Sequence, residues 1–104
     1  MAKKTIMLAC DAGMSTSLLV NKMNKLATEM NLDYKIFATP VSHAESYLDK
    51  EDINLVLLGP QVRFMLDDVK SKFNPKGIPV EVIPMTDYGM MNAKNVLALA
   101  ESLL

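Results

Sequence analysis

The sequence has few of the side chains that form disulfides and metal sites. It contains one cysteine, Cys10, and one histidine, His43, among 104 residues. A single cysteine cannot form an internal disulfide, so the composition fits a reducing compartment such as the cytoplasm. One Cys and one His also fall short of the ligand set of an ordinary zinc site.

The sequence also has no excess of charge of one sign. Its formal net charge is −1, and the basic residues form no polybasic run. Nucleic acids and anionic membrane surfaces attract proteins through concentrated positive charge. Neither is therefore a good candidate for a partner.

Long apolar runs are missing too. No stretch approaches the apolar length that a membrane-spanning helix needs. The start, "MAKKTIML", has the charge pattern of a secretory signal, but its apolar segment stops at Ala9 and Asp11 follows closely. We expect a soluble, cytoplasmic protein.

Half of the residues are hydrophobic, which at this length favours one domain covering residues 1–104. Short apolar segments alternate with segments of helical periodicity, a pattern that predicts an open four-stranded parallel sheet flanked by helices, an α/β fold. The prolines that flank the fourth segment predict an edge strand. The Ser42–Glu45 stretch, "SHAE", has the form of a helix-capping box. The predicted strands are 4–9, 34–38, 53–58 and 80–83, and the predicted helices are 17–30, 42–50, 62–73 and 92–102.

The stretch "ACDAGMSTS" joins the first predicted strand to the first helix. Ligands of open parallel sheets bind beyond the carboxyl ends of the strands, so we expect the functional edge at residues 10–17, with help from 59–61 and 84–89. Loop amides and the start of a helix form an anion site, most often for phosphate. The same field stabilises a thiolate, so Cys10 is placed to attack phosphorus.

Two known phosphate-binding loops do not fit this stretch, and the cysteine phosphatase loop is closer but lacks its arginine here. It has no Gly-Lys-Ser/Thr ending of the Walker type, and it has one glycine where the dinucleotide fingerprint needs three. Cysteine phosphatases carry an arginine six residues after the cysteine, whereas Thr16 stands at that place and the one arginine is Arg63. Without that fixed charge, the loop suits receiving a phosphoryl group and passing it on better than hydrolysis.

The segments "CDAGMSTSLLV" and "LLGPQV" resemble the enzyme IIB component of the bacterial phosphoenolpyruvate-dependent sugar phosphotransferase system. The similarity is to the lactose/cellobiose/chitobiose branch and extends over essentially the whole chain. It implies a fold similar to that of low-molecular-weight tyrosine phosphatases. We expect no cofactor and no metal. It also implies that Cys10 receives phosphate from a phosphohistidine of a IIA protein and passes it to a sugar bound by the membrane IIC component.

The resemblance further assigns a phosphate-binding loop to the residues that follow the cysteine. These are Asp11, Ala12, Gly13, Met14, Ser15, Thr16 and Ser17. Backbone amides are expected to matter more there than side chains. The carboxylate of Asp11 would oppose a bound anion, so we expect it to face away from the loop interior. The exposed rim around Cys10 is expected to be partly apolar, because it contacts two partners transiently.

Other residues have simpler interpretations. We interpret His43 as an exposed first-turn residue rather than a phosphoryl carrier. Asp87 is a candidate general acid, although a loop or partner contact is favoured, and Tyr88 packing beside the loop is the less favoured role for that side chain. Two other functions remain open on the residues alone: a small cysteine-dependent phosphatase and a thiol-based regulator.

Overall fold

A computed structural model describes residues 3–11 and 13–104. Within them, four strands form one sheet in the order β2–β1–β3–β4, and every pairing is parallel. The predicted open parallel sheet is therefore confirmed. The strands are β1 (Lys4–Cys10), β2 (Tyr34–Pro40), β3 (Leu55–Leu58) and β4 (Val80–Val82).

The two central strands are the most apolar. All of β1 after Lys4 and all of β3 are buried, as expected for strands covered on both faces. β4 has three residues and lies at an edge between Pro79 and Pro84, as its flanking prolines predicted.

Helices cover both faces of the sheet. Side chains alternate between faces along a strand, so Ile6 and Leu8 pack on one side while Met7 and Ala9 pack on the other. Cys10 continues the series of Ile6 and Leu8 at the end of β1. The α-helices are α1 (Gly13–Glu29), α2 (Leu66–Phe73), α3 (Met85–Gly89) and α4 (Ala93–Leu103). None of the described helices is long and apolar enough to cross a membrane.

The first face is covered by α1, α3 and α4, and the second by α2 and two 3-10 helices, Val41–Asp49 and Pro60–Met65. On the first face, the buried partners of the sheet include Leu19 and Met23 of α1 and Val96, Leu97 and Ala100 of α4. The end of β1 therefore meets α1 and α3 on the face to which Cys10 belongs.

Two local predictions were wrong. The Ser42–Glu45 stretch is not a capping box: the helix there is a 3-10 helix that begins at Val41, and its N-cap, Pro40, makes no side-chain capping bond. Pro40, with φ −60° and ψ 141°, supplies an extended entry that starts the helix one residue before Ser42. No helix is predicted at residues 84–89, yet Met85–Gly89 form α3.

The first helix also begins earlier than predicted, at Gly13 rather than near residue 17. The last helix begins as the sequence indicates, because the Asn92 side chain accepts a hydrogen bond from the Asn95 amide at 3.1 Å.

The turn after β3 brings Gly59 close to Cys10 and Tyr88, which leaves little space for a branched side chain. The Gly59 amide donates to the carbonyl of Ala9 at 2.9 Å, which fastens this turn to the end of β1. An ideal Cβ at Gly59 would lie 3.0 Å from Oε1 of Gln61, 3.4 Å from Cβ of Cys10 and 3.7 Å from Cε1 of Tyr88. Gln61 is exposed and can move, whereas Cys10 and Tyr88 are buried.

We therefore expect Gly59→Val to lower the free energy of unfolding by about 1–3 kcal/mol, since its branched side chain overpacks this turn. Chemical denaturation measures the loss. Gly89→Val is the matched control, because a Cβ at Gly89 meets nothing within 4 Å. The control should change stability by no more than about 0.5 kcal/mol. Equal losses in the two variants would contradict the close approach at Gly59.

Candidate functional site

Cys10 is the last residue of β1 and is 1% exposed. Because all four strands are parallel, their carboxyl ends lie at one edge of the sheet, where the segments after β3 and β4 also begin. The Gly59 contacts bring three of these segments together: Cβ of Cys10, Cε1 of Tyr88 and Oε1 of Gln61 all lie within 4 Å of one point. The sheet thus assembles the expected edge from residues far apart in sequence.

The N-terminus of α1 comes three residues after the thiol. Its first amides have no partner within the helix and carry a partial positive charge. The first turn, "GMST", contains no acidic residue that would compete for those amides. A phosphoryl group on the Cys10 sulfur would be attached three residues before these donor amides.

The candidate loop residues differ in their surroundings. Asp11 forms an exposed bend, Gly13 is the first residue of α1, and Ser17 is exposed in the same helix. Thr16 is completely buried. Ala12 lies outside the described residues, and so do the side chains of Met14 and Ser15.

Thr16 and Tyr88 form a hydrogen bond across the site. The Thr16 Oγ1 and Tyr88 hydroxyl oxygens are 2.8 Å apart, although the residues are 72 positions apart in sequence. Tyr88 is 8% exposed. Its proximity to the loop was the less favoured interpretation of the sequence. The sequence signal for this contact is the position of Tyr88 after the fourth strand, at the same edge as Cys10. The structure adds that Tyr88 is buried, and a buried tyrosine hydroxyl needs a hydrogen-bond partner.

Asp87 holds α3 against α4. Its Oδ1 accepts a hydrogen bond from Nδ2 of Asn95 at 2.9 Å, and its carbonyl accepts one from the Asn92 amide at 2.8 Å. The structure therefore gives the Asp87 carboxylate a role in joining the two helices. Tyr88, the next residue, therefore lies on a helix that is hydrogen-bonded to α4.

A cavity of about 300 Å³ lies beside Tyr88, between the segment after β3 and α3. Pro60, Gln61, Arg63 and Met85 contribute to its lining. The Arg63 Nη1 donates to the carbonyl of Pro60 at 2.9 Å. The single arginine thus lies at the same edge as the thiol but belongs to the 3-10 helix after β3.

Three apolar side chains in the segments that follow β3 and β4 are exposed to solvent. Phe64 is 80% exposed, Met90 78% and Met85 61%, the highest values among the large hydrophobic residues that the structure describes. We call these three residues the apolar rim. Phe64 follows β3 and the two methionines follow β4. His43 is exposed in the helix after β2, beside Ala44, which packs on the other face of the sheet.

Comparisons with known proteins agree with this arrangement. Residues 5–99 match the family model described as "PTS system, Lactose/Cellobiose specific IIB subunit". The galactose-specific EIIB component of Lactococcus lactis subsp. cremoris (strain MG1363) is 50% identical over 109 residues, covering 100% of this chain and 99% of the relative. The cellobiose-specific EIIB component of Lactococcus lactis subsp. lactis (strain IL1403) gives the same identity and coverage.

A solved structure shows the same similarity. The solution structure of the cellobiose-specific phosphotransferase IIB component from Borrelia burgdorferi has a TM-score of 0.79 and 39% sequence identity, covering 98% of this chain and 92% of that one. The family indicated by "CDAGMSTSLLV" and "LLGPQV" is therefore confirmed. The chain belongs to the lactose/cellobiose-specific IIB family, the phosphotransferase components of sugar phosphotransferase systems.

Proposed function

We propose that Cys10 carries a phosphoryl group from a phosphohistidine of a IIA protein to a sugar bound by a membrane IIC protein. The observation that carries this proposal is the position of the chain's one thiol. In a IIB family member, it ends a central parallel strand three residues before the N-terminus of α1.

In the first step, the Cys10 thiol gives up its proton and its sulfur attacks phosphorus. An S–P bond forms while the N–P bond to the donor imidazole breaks. The electron pair of the broken bond stays on the imidazole nitrogen, which takes up a proton. The amides at the start of α1 supply donors for the phosphoryl oxygens, and we assign the phosphate-binding loop to residues 11–17.

In the second step, a hydroxyl oxygen of the sugar attacks phosphorus. An O–P bond forms, the S–P bond breaks, and its electron pair stays on sulfur. The proton of the hydroxyl group restores the thiol. Covalent catalysis by cysteine thus divides one transfer between two proteins into two displacements.

The surroundings of Cys10 favour transfer over hydrolysis. The residue is 1% exposed, so a donor must place its phosphoryl group in the loop rather than meet the sulfur at an open surface. Arg63 is hydrogen-bonded to Pro60, and the loop itself contains no arginine. A cysteine phosphatase depends on the positive charge of a loop arginine when water attacks the phosphocysteine.

The sugar we propose is an oligosaccharide of the cellobiose, chitobiose or lactose type. The relatives named for galactose and for cellobiose are equally similar to this chain, so sequence identity does not decide between sugars. We propose one IIB domain over residues 1–104, because one sheet connects the described elements. We also propose a cytoplasmic location.

We expect the wild-type protein to gain one phosphoryl group on the Cys10 peptide when incubated with phosphoenolpyruvate, the general phosphotransfer proteins and a matching IIA protein. Intact-mass and peptide mass spectrometry measure the modification. Cys10→Ser should gain none at this position, because a serine hydroxyl is a much weaker nucleophile than a thiolate.

His43→Gln is the control, since histidine is the other common phosphoryl carrier. This variant should be phosphorylated at the wild-type rate. Full phosphorylation of Cys10→Ser, or its loss in His43→Gln, would transfer the carrier role away from Cys10. Steady turnover of an aryl phosphate by the wild type would instead indicate a phosphatase.

We assign the apolar rim to contact with the IIA protein. Exposed methionine and phenylalanine side chains suit transient association. Methionine adapts to the shape of a partner surface, and both side chains bury apolar area when the partner binds. Phe64→Ser and Met85→Ser should each raise the KM for phosphorylated IIA by about tenfold, which is the effect of losing a moderate interface contact. The kcat should not change. Quenched time-course assays, with a radiolabelled phosphoryl group on the IIA protein, measure both constants.

Met30→Ser is the matched control, because Met30 is 49% exposed at the end of α1, away from the edge with Cys10. It should leave KM at the wild-type value. An equal rise in KM for Met30→Ser would show a general loss of surface hydrophobicity rather than a docking site.

A further inference from the structure

We propose that Tyr88 is a positioning residue for phosphoryl transfer. Its hydroxyl donates to Thr16 Oγ1 and so directs the Thr16 hydroxyl proton towards the phosphoryl group on Cys10. This inference rests on the carrier role proposed for Cys10.

The hydrogen bond between the two residues is well placed for such a role. Both oxygens are shielded from solvent, since Thr16 is completely buried and Tyr88 is 8% exposed. Their separation of 2.8 Å is that of a strong O–H···O bond. Water cannot readily take the place of either partner, so the bond sets the orientation of the Thr16 side chain.

The chemistry of the phosphoryl group selects the direction of this bond. Each hydroxyl has one proton to donate and lone pairs to accept with. An anionic phosphoryl group is a stronger acceptor than a neutral phenol, so it takes the Thr16 proton. The Tyr88 proton then goes to Thr16 Oγ1. Two donors in series point at the anion, and each strengthens the other.

The location of Thr16 is the second argument. It is the sixth residue after Cys10, where cysteine phosphatases carry their arginine, and it lies in the first turns of α1. The Tyr88 ring and Cβ of Cys10 lie within 4 Å of the same point at Gly59. Tyr88 therefore spans from the neighbourhood of the thiol to the threonine hydroxyl.

Hydrogen bonds also fix the backbone around Tyr88. Its amide donates to the Pro84 carbonyl at 3.0 Å, and the neighbouring Asp87 accepts a hydrogen bond from Asn95 of α4 at 2.9 Å. The backbone that carries the phenol is thus fixed by α3 and its hydrogen bonds to α4. A neutral donor pair on this support would hold the phosphoryl group without the permanent positive charge of a guanidinium.

The test compares Tyr88→Phe, Thr16→Val and the double variant with the wild type. Rapid-quench measurement of phosphoryl acceptance from phosphorylated IIA separates kcat from KM. We expect Thr16→Val to lower kcat at least about tenfold, the usual effect of removing a hydrogen bond to a charged group. Tyr88→Phe should lower kcat several-fold, with KM unchanged. The double variant should be no slower than Thr16→Val, because Tyr88 acts through Thr16.

Two further variants separate positioning from packing. Thr16→Ser keeps the hydroxyl and should retain most of the wild-type kcat. Tyr34→Phe removes another phenol, which donates to Glu101 at 3.4 Å on the protein surface, and should have no effect. The ³¹P NMR resonance of phosphocysteine should move in the same direction in Tyr88→Phe and Thr16→Val, and should not move in Tyr34→Phe.

The results also separate this inference from the function on which it rests. If the wild type forms phosphocysteine but Tyr88→Phe reacts with unchanged kcat and resonance, the positioning role alone is overturned. Multiplicative losses in the double variant would likewise overturn it, since the two residues would then act independently. If the wild type forms no phosphocysteine, the carrier function itself fails.

Discussion

The parallel pairing of β1 with both β2 and β3 is the constraint on which the site depends. It buries β1 at the centre of the sheet and places its last residue, Cys10, at the edge where the segments after the other strands also emerge. The amide of Gly59 donates to the Ala9 carbonyl, which holds the turn after β3 against the thiol. A change of register in β1 would move Cys10 to the other face and away from α1 and Tyr88.

In the proposed mechanism, neutral groups stabilise the negative charge of the phosphoryl group. Helix amides and hydroxyls stabilise an anion through dipoles that are fixed before the phosphoryl group arrives, so little reorganisation is needed. An arginine in the loop would add a full positive charge and bind the phosphoryl group more tightly. A carrier must release its cargo as readily as it accepts it, and neutral donors suit that balance.

The distribution of exposed apolar surface fits a protein that meets its partners briefly. The three residues of the apolar rim lie in the segments that follow β3 and β4, and these segments begin at the edge that bears the thiol. In the proposed mechanism, an apolar contact aligns the donor without adding charge beside the phosphoryl group. In the proposed mechanism, the loop residues hold the phosphoryl group and the apolar rim contacts the IIA protein.

The sequence by itself determined the α/β class, the parallel sheet, the edge position of β4 and the candidate thiol, because apolar periodicity, prolines and a unique cysteine are local signals. It misassigned the helix start at Ser42 and missed α3, since a proline entry and a five-residue helix leave little periodic pattern. Only the tertiary structure decided that Tyr88 reaches Thr16 and that Gly59 packs against Cys10. These contacts join residues of different βα units, and the packing that creates them follows from the assembled sheet rather than from any one segment.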